Sequence, residues 1–340
     1  MKHVRLYLPW NDSSKPSLLR QTPQGLGKWN EVQFHINQND GPCDFVVVFA
    51  GHYSKIEAPV APANTLFIAG EPPAIKRYTE AYLAQFHSVI CSDLSVAHPN
   101  KHITQQGHPW FCGLQFQADG TKVPVKSYDD FVKDTHIPKT KLLSVVCSDK
   151  QKKEGHKKRY DFVNQLKEAF GDEMDLYGTG QNPIADKSDA LRPYQYHIAI
   201  ENSCAPDYWT EKLSDCYLEG TFPFYSGCPN IEKYFDSGAY KRIDMNDPEA
   251  AIHTIRTSIQ AQQYQRAIPA LSKAKEQVLN QYNFFNVITE HIKQQAPLET
   301  PTLQVFSAYP EKWFKKGLWY RLRFLISQKA LKNSAANTHT

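Results

Sequence analysis

The chain has 340 residues, of which 41% are hydrophobic and 22% charged; this is an ordinary globular composition, so the chain as a whole is not disordered, collagenous or a coiled coil. At about 150 residues per domain, the length suggests two domains. The net charge of +4 is too small to require a nucleic-acid partner, and it is concentrated. From Glu311 to Lys332 seven Lys/Arg stand against one Glu, a local charge of +6 that leaves −2 for the rest.

The opening Met-Lys-His-Val-Arg-Leu-Tyr-Leu reads as a strand, Val4–Leu8, without the apolar core of a signal peptide. Further strands are expected at Phe45–Phe49, Thr65–Ile68 and Ser88–Cys91, with helical character over Ile75–Phe86. A loop-rich stretch with scattered His and Gly follows from about His98 to Thr121, and His136-Ile-Pro-Lys-Thr140 reads as a linker. The pattern then restarts. Leu142–Cys147 is an apolar run of the kind buried on both faces of a parallel sheet. The polar loop Ser148–His156 leads into a helix with Phe162, Leu166 and Phe170 on one face. Met174–Tyr177, Tyr196–Ile200, Phe222–Tyr225 and Tyr240–Asp244 supply more strands, Glu211–Glu219 a short helix, and the chain after Asp247 is largely helical. No run reaches about 18 apolar residues, so no transmembrane helix is expected. Seven Cys without a Cys-x-x-Cys pair argue for reduced, buried thiols in a cytoplasmic protein rather than disulfides or a structural zinc.

Alternating strands and helices in two halves predict an α/β protein with ligand-binding loops at the carboxyl ends of its strands. Three of those loops carry chemistry. In the first, Lys150, Lys152, Lys153, Lys157, Lys158 and Arg159 crowd the start of a helix, where cations oppose the macrodipole unless an anion docks there. In the second, Glu201 and Asn202 end a buried strand and need partners. Asp207 or Thr210 can cap the next helix, in whose first turn Glu211 is favourable and Lys212 unfavourable, again pointing to an anion. In the third, Glu71 follows Gly70 at a strand end, placed as a general base, with Pro72-Pro73 stiffening the loop. Each also admits a plainer reading: a solvated basic loop, ordinary exposed helix residues, a surface turn. The chain has no nucleotide P-loop, His-Glu-x-x-His, Gly-x-Ser-x-Gly or Asp-x-Asp, and Gly178-Thr-Gly180 lacks the third glycine of a dinucleotide fingerprint.

The segment Tyr196–Gly227 resembles the donor-site signature of the family 10 glycosyltransferases, the α-1,3/1,4-fucosyltransferases. The matching elements are Glu201-Asn202, Tyr208-Trp209-Thr210-Glu211-Lys212, Asp215-Cys216-Tyr217 and Gly220-Thr-Phe-Pro223, with Tyr225 before Gly227. Lys158-Arg159-Tyr-Asp-Phe162-Val163 is similar to the family's basic helix start, and the resemblance covers about residues 140–245. It implies a GT-B fold, two Rossmann-like domains facing a cleft with a C-terminal helical tail. Residues 1–137 would bind the acceptor, 138–300 the nucleotide-sugar donor, and 301–340 would form a basic amphipathic tail. It further implies an inverting transferase moving L-fucose from GDP-fucose to a glycan hydroxyl in surface-polysaccharide or lipopolysaccharide synthesis. No metal or other cofactor is then required, a divalent ion at most stimulating turnover. Arg159 and Lys212 would hold the diphosphate, Glu211 would accept from the ribose hydroxyls, and Asn202 and Tyr208 would line the donor pocket. Lys158, Glu201 and Thr210 would support them, and Glu71 would be the base. Ile198 and Ile200 replace frequent aromatics, and Trp209 replaces a smaller residue, an exchange expected to shape the sugar pocket. A transferase using another nucleotide sugar and a non-catalytic nucleotide-sugar or glycan-binding protein are the competing readings.

The basic tail carries Trp313, Phe314, Trp319, Tyr320 and Phe324, with Phe314, Leu318, Leu322 and Leu325 near helical spacing. Such a helix suits an anionic membrane surface, which would place the protein on the cytoplasmic membrane face. A helix that packs on the N-terminal domain is the alternative.

Overall fold

A computed structural model of the chain describes residues 1–10, 17–117, 119–147, 154–178, 180, 182–295, 305–318, 320–322 and 326. Two compact α/β units are present, each with its own parallel sheet, the composition of the GT-B class.

The first unit comprises residues 1–11, 30–106 and 295–340. Within it run β1 (Lys2–Tyr7), β2 (Val32–Ile36), β3 (Phe45–Phe49), β4 (Thr65–Ile68), β5 (Ser88–Cys91) and β6 (Lys101–Ile103), in the sheet order β2-β1-β3-β4-β5-β6, all parallel. β3, β4 and β5 are buried at every residue, as β-branched and aromatic runs covered on both faces must be. β2 was not expected: its Val-Gln-Phe-His-Ile alternates buried and half-buried residues and is polar at every second position. Of the expected Ile75–Phe86 helix only Glu80–Leu83 forms, because Thr79 stays extended and caps it, accepting from the Tyr82 N–H at 3.3 Å. Tyr82 and Phe86 there join Phe67 and Tyr78 in an edge-to-face aromatic cluster.

The tail residues belong to this unit as well. Val305–Ala308 pairs antiparallel with Ile56–Pro59 and buries Phe306, and a short helix, Glu311–Lys315, sets Phe314 against Tyr82 at 6.2 Å. Trp319, Phe324, Leu325 and the final basic residues lie outside the described residues.

The second unit comprises residues 12–29 and 107–294. β7 (Lys141–Val146), β8 (Met174–Tyr177), β9 (Tyr194–Ile200), β10 (Phe222–Ser226) and β11 (Lys241–Arg242) form a parallel sheet in the order β8-β7-β9-β10-β11. Helices α1 (Glu154–Phe170), α2 (Glu211–Leu218), α3 (Pro248–Gln260) and α4 (Gln263–Leu279) cover it, followed by α5 (Phe284–Gln294). β11 is shorter than Tyr240–Asp244 because the Asp244 carboxylate takes the Asn246 N–H at 2.8 Å and turns the chain toward α3, which Asp247 caps.

The compact units divide at residue 106, not 137. Trp110 and Phe131 are fully buried in the core that holds Phe162, Leu166 and Trp209, and the buried Arg20 guanidinium donates to the Trp110 and Lys126 carbonyls. The loop-rich stretch expected in the first half therefore folds largely onto the second.

Candidate functional site

In the second unit the strand order reverses between β7 and β9, and ligands of open α/β sheets bind at the carboxyl ends of the strands flanking such a switch. α1 follows β7 and brings Arg159 to this point, where its guanidinium donates to the Asn202 side-chain oxygen just beyond β9. The Arg159 Nε–H is buried with no hydrogen-bond partner among the described residues. Lys158 donates to Asn246, and Lys157 pairs with Asp161 at 2.8 Å, one helical turn on. Lys150, Lys152 and Lys153 lie outside the described residues.

Glu201, adjoining Asn202, is fully buried. Its two oxygens accept from the Thr210 N–H at 2.8 Å and the Thr210 hydroxyl at 2.7 Å, and Lys212 Nζ stands 3.7 Å away. Burial raises the Glu201 pKa, and the Lys212 cation opposes the shift. Thr210, rather than Asp207, caps α2, accepting from the Lys212 N–H. Lys212 Nζ also reaches Glu211 at 2.8 Å, and the Lys212 side chain is 22% exposed. Burial pushes the Glu211 carboxyl up, but Lys212 and then Lys187 outweigh it and hold the pKa at about 2. The expected helix-start anion is thus present as two protein carboxylates: the cation that looked misplaced is answered by Glu211 and Glu201. Gly227 explains the end of the motif, since a Cβ there would lie 2.4 Å from Glu201 Cγ and 2.6 Å from the Tyr225 hydroxyl oxygen.

Tyr208 is buried and is aimed by a strained turn. Asp207 adopts φ 59°, held by its N–H to Asn230 at 2.8 Å and by the Lys233 ammonium on its carboxylate at 2.8 Å. Trp209 points the other way, into the core, with its ring 5.0–5.7 Å from Phe235, Tyr282 and Tyr234. The ring is buried in that core, whereas the sequence led to the expectation that it shapes the sugar pocket.

Two residues of this cluster escaped the sequence reading. Lys187 Nζ bridges the buried Asp215 carboxylate and the Glu211 carbonyl, each at 3.0 Å. Burial works against its charge, but Asp215 and Glu211 raise its pKa overall. Nothing in Ala-Asp-Lys-Ser marks Lys187, whereas Asp215 was visible as a motif residue without a role. His108 is the second, its ring 5.6 Å from Tyr208 at 88°.

Glu71 lies in the first unit, exposed, directly beyond β4. Gly70 before it allows close approach, a Cβ there falling 2.7 Å from that of Ala50. The fold therefore gathers Arg159, Asn202, Glu201, Thr210, Glu211, Lys212 and Tyr208 in one unit and carries Glu71 on the other. Among the described residues no three His, Cys, Asp or Glu are grouped to hold a metal ion, and no helix is long and apolar enough to cross a membrane. All seven Cys are free; Cys204 is exposed and Cys43 half-buried, so the expected burial holds for five.

Residues 137–268 match the family model for glycosyltransferase family 10 (fucosyltransferase), C-terminal part. An α-(1,3)-fucosyltransferase of Helicobacter pylori is 29% identical over 98 residues, 28% of this chain and 20% of that protein. A fucosyltransferase-like protein of Arabidopsis thaliana is 36% identical over 64 residues, 18% of this chain and 12% of that one. The matched region thus spans a fifth or less of these relatives. Among solved structures, an α1,3-fucosyltransferase with GDP superposes at TM-score 0.48 and 17% identity, covering 83% of this chain and 93% of that one. WaaG, a glycosyltransferase of lipopolysaccharide biosynthesis, gives 0.44 and 11% over 87% and 100%.

Proposed function

Because residues 137–268 belong to the C-terminal domain of the family 10 fucosyltransferases, we propose that the chain transfers L-fucose from GDP-fucose to a glycan hydroxyl, with inversion, in surface-polysaccharide or lipopolysaccharide synthesis. The observation that supports this most is the pairing of the two cations. Arg159 and Lys212, far apart in sequence, engage the consecutive residues Asn202 and Glu201 at the carboxyl end of β9. The unit that holds them binds the donor, and the unit that holds Glu71 binds the acceptor.

In this reading the Glu71 carboxylate takes the proton of the acceptor hydroxyl as its oxygen attacks the anomeric carbon. The bond from that carbon to the diphosphate breaks on the opposite face, and GDP departs. Arg159 and Lys212 meet the charge that develops on the diphosphate, a preorganised cationic stabilisation that stands in for a required metal. Glu211 accepts from the ribose hydroxyls, and Asn202 and Tyr208 line the donor pocket.

The test is a transfer assay against a panel of GDP- and UDP-sugars, with EDTA present, alongside GDP binding. Turnover is expected with GDP-fucose, and Glu71→Gln is expected to lose about 100-fold or more of it while keeping GDP affinity, the scale of a missing general base. Turnover with a different sugar alone would reassign the donor. GDP binding without turnover in the unmodified protein would make it a binding protein.

The tail extends the proposal to an anionic membrane surface through residues 311–332. Leu318 and Ile326 are 70% exposed and Leu322 44%, at helical spacing beside Lys315, Lys316 and Arg321. Leu318→Asp with Leu322→Asp is expected to abolish binding to anionic liposomes and to leave turnover on a soluble acceptor unchanged; undiminished liposome binding overturns this part.

A further inference from the structure

The segment Gly107–Gly113 carries no motif, yet it is pinned to the donor unit at several points. Gly107 has φ 64° and sits so close to α5 that a Cβ would meet Phe284 Cα and Val287 at 3.1 Å. The Trp110 carbonyl accepts from Arg20 at 2.6 Å. The Phe111 N–H donates to both oxygens of Asp215, at 3.2 and 3.3 Å. The Gly113 N–H donates to Asp186 and to Ser188, each at 2.9 Å. A loop held this firmly places its side chains with little freedom.

His108 is one of them. Its ring meets Tyr208 edge-on at 5.6 Å and stands within electrostatic range of both Glu211 and Lys212. The geometry points to His108 as a positioning residue of the nucleotide-sugar site, bracing the Tyr208 ring beside the Glu211–Lys212 pair so that a nucleoside diphosphate meets a preformed wall. This rests on the donor-site reading above, in which Tyr208 touches the donor. His108 suits the part electrically. Burial lowers its pKa to about 4, so at neutral pH the imidazole is uncharged and leaves the ion pair of α2 undisturbed.

The bracing is directional. Tyr208 follows the strained Asp207, so its backbone is set by Asn230 and Lys233 on one side while its ring is set by His108 on the other. A ring fixed from both ends loses little further freedom when a ligand stacks on it or hydrogen-bonds to it.

GDP affinity, measured by calorimetry on the full chain, tests this with four variants: His108→Ala, His108→Phe, Tyr208→Leu and the double His108→Ala/Tyr208→Leu. His108→Ala is expected to weaken GDP binding about fivefold, the scale of one edge-on aromatic pair, and His108→Phe, which restores the ring edge, to return it to within about twofold of the unmodified value. Tyr208→Leu added to His108→Ala is expected to cost less than the two single losses combined, because each already removes the shared contact. Unchanged affinity in His108→Ala, or no recovery in His108→Phe, overturns the bracing role. The two His108 variants decide the matter if Tyr208→Leu does not fold. A purely structural His108 would lower the melting temperature in His108→Ala and leave GDP affinity where it was. Failure of the unmodified protein to bind GDP overturns the donor-site reading and this role with it, whereas binding that is indifferent to His108 overturns this role alone.

Discussion

Lys212 is the residue whose removal should be felt most widely in the second unit. Lys212→Met keeps the apolar stem and deletes the charge that stands 2.8 Å from Glu211 and 3.7 Å from Glu201. Both carboxylates are largely out of water, Glu201 at 0% and Glu211 at 14% side-chain exposure. Removing one partner of a buried pair costs about 3–5 kcal/mol. The same charge, together with Lys187, holds the Glu211 carboxyl down at about 2 against the effect of burial. Lys187 remains to support Glu211, which favours the lower end, about 3 kcal/mol.

The pH dependence separates charge from packing. Glu211 is depressed in the folded state, so its contribution is complete above its ordinary pKa and is lost as the pH falls toward 2. Glu201 is raised by burial, and without Lys212 it rises further; the folded variant then binds protons before the unfolded chain does and gains stability on acidification. The raised pKa of Lys212 itself acts only in strongly alkaline solution. The deficit of Lys212→Met should therefore be widest near neutrality and narrower at pH 4, where Glu201 of the variant takes up a proton while the Glu211 part persists. Urea unfolding followed by circular dichroism at the two pH values measures it. An equal deficit at both would refute the charge argument, and no deficit near neutrality would mean that the pair does not stabilise the fold.

Two substitutions probe the packing around the same motif. Gly227→Ala forces a Cβ to within 2.4 Å of Glu201 Cγ, and the overpacking should cost about 1–3 kcal/mol in chemical denaturation; a neutral result would show that the Glu201 side chain has room to move. Trp209→Phe keeps an aromatic ring among Tyr234, Phe235 and Tyr282 and removes an indole N–H that is buried with no partner among the described residues. It should cost under about 1.5 kcal/mol, whereas Trp209→Ala should cost about 3–5. Donor-sugar preference should be the same in Trp209→Phe as in the unmodified protein, and a changed preference would return Trp209 to the sugar pocket.

Sequence alone settled what short-range chemistry settles. The apolar run Phe45–Phe49 reads as a strand buried on both faces, and it is, whereas Met174–Tyr177, polar at Asp175, is an edge strand that alternates buried and half-buried residues. Glu201-Asn202 and Thr210-Glu211-Lys212 had to sit at a strand end and a helix start, because a cap residue and a dipole-facing carboxylate declare those positions. What was not legible depended on partners distant in the chain. Nothing near Lys212 reveals that Glu201 returns beside it, so its charge looked like a call for a ligand. Trp209 could not show which side of the Asp207 turn it would face, since a left-handed φ at a non-glycine residue has no local signature. The boundary at 106 and the places of Lys187 and His108 were decided by Trp110, Arg20 and Asp215, through hydrogen bonds that span 28 residues from Lys187 to Asp215, 90 from Arg20 to Trp110 and 104 from Phe111 to Asp215. Periodicity records which residues are buried. Which buried groups meet is set by how the layers close on one another, and only the tertiary structure carries that.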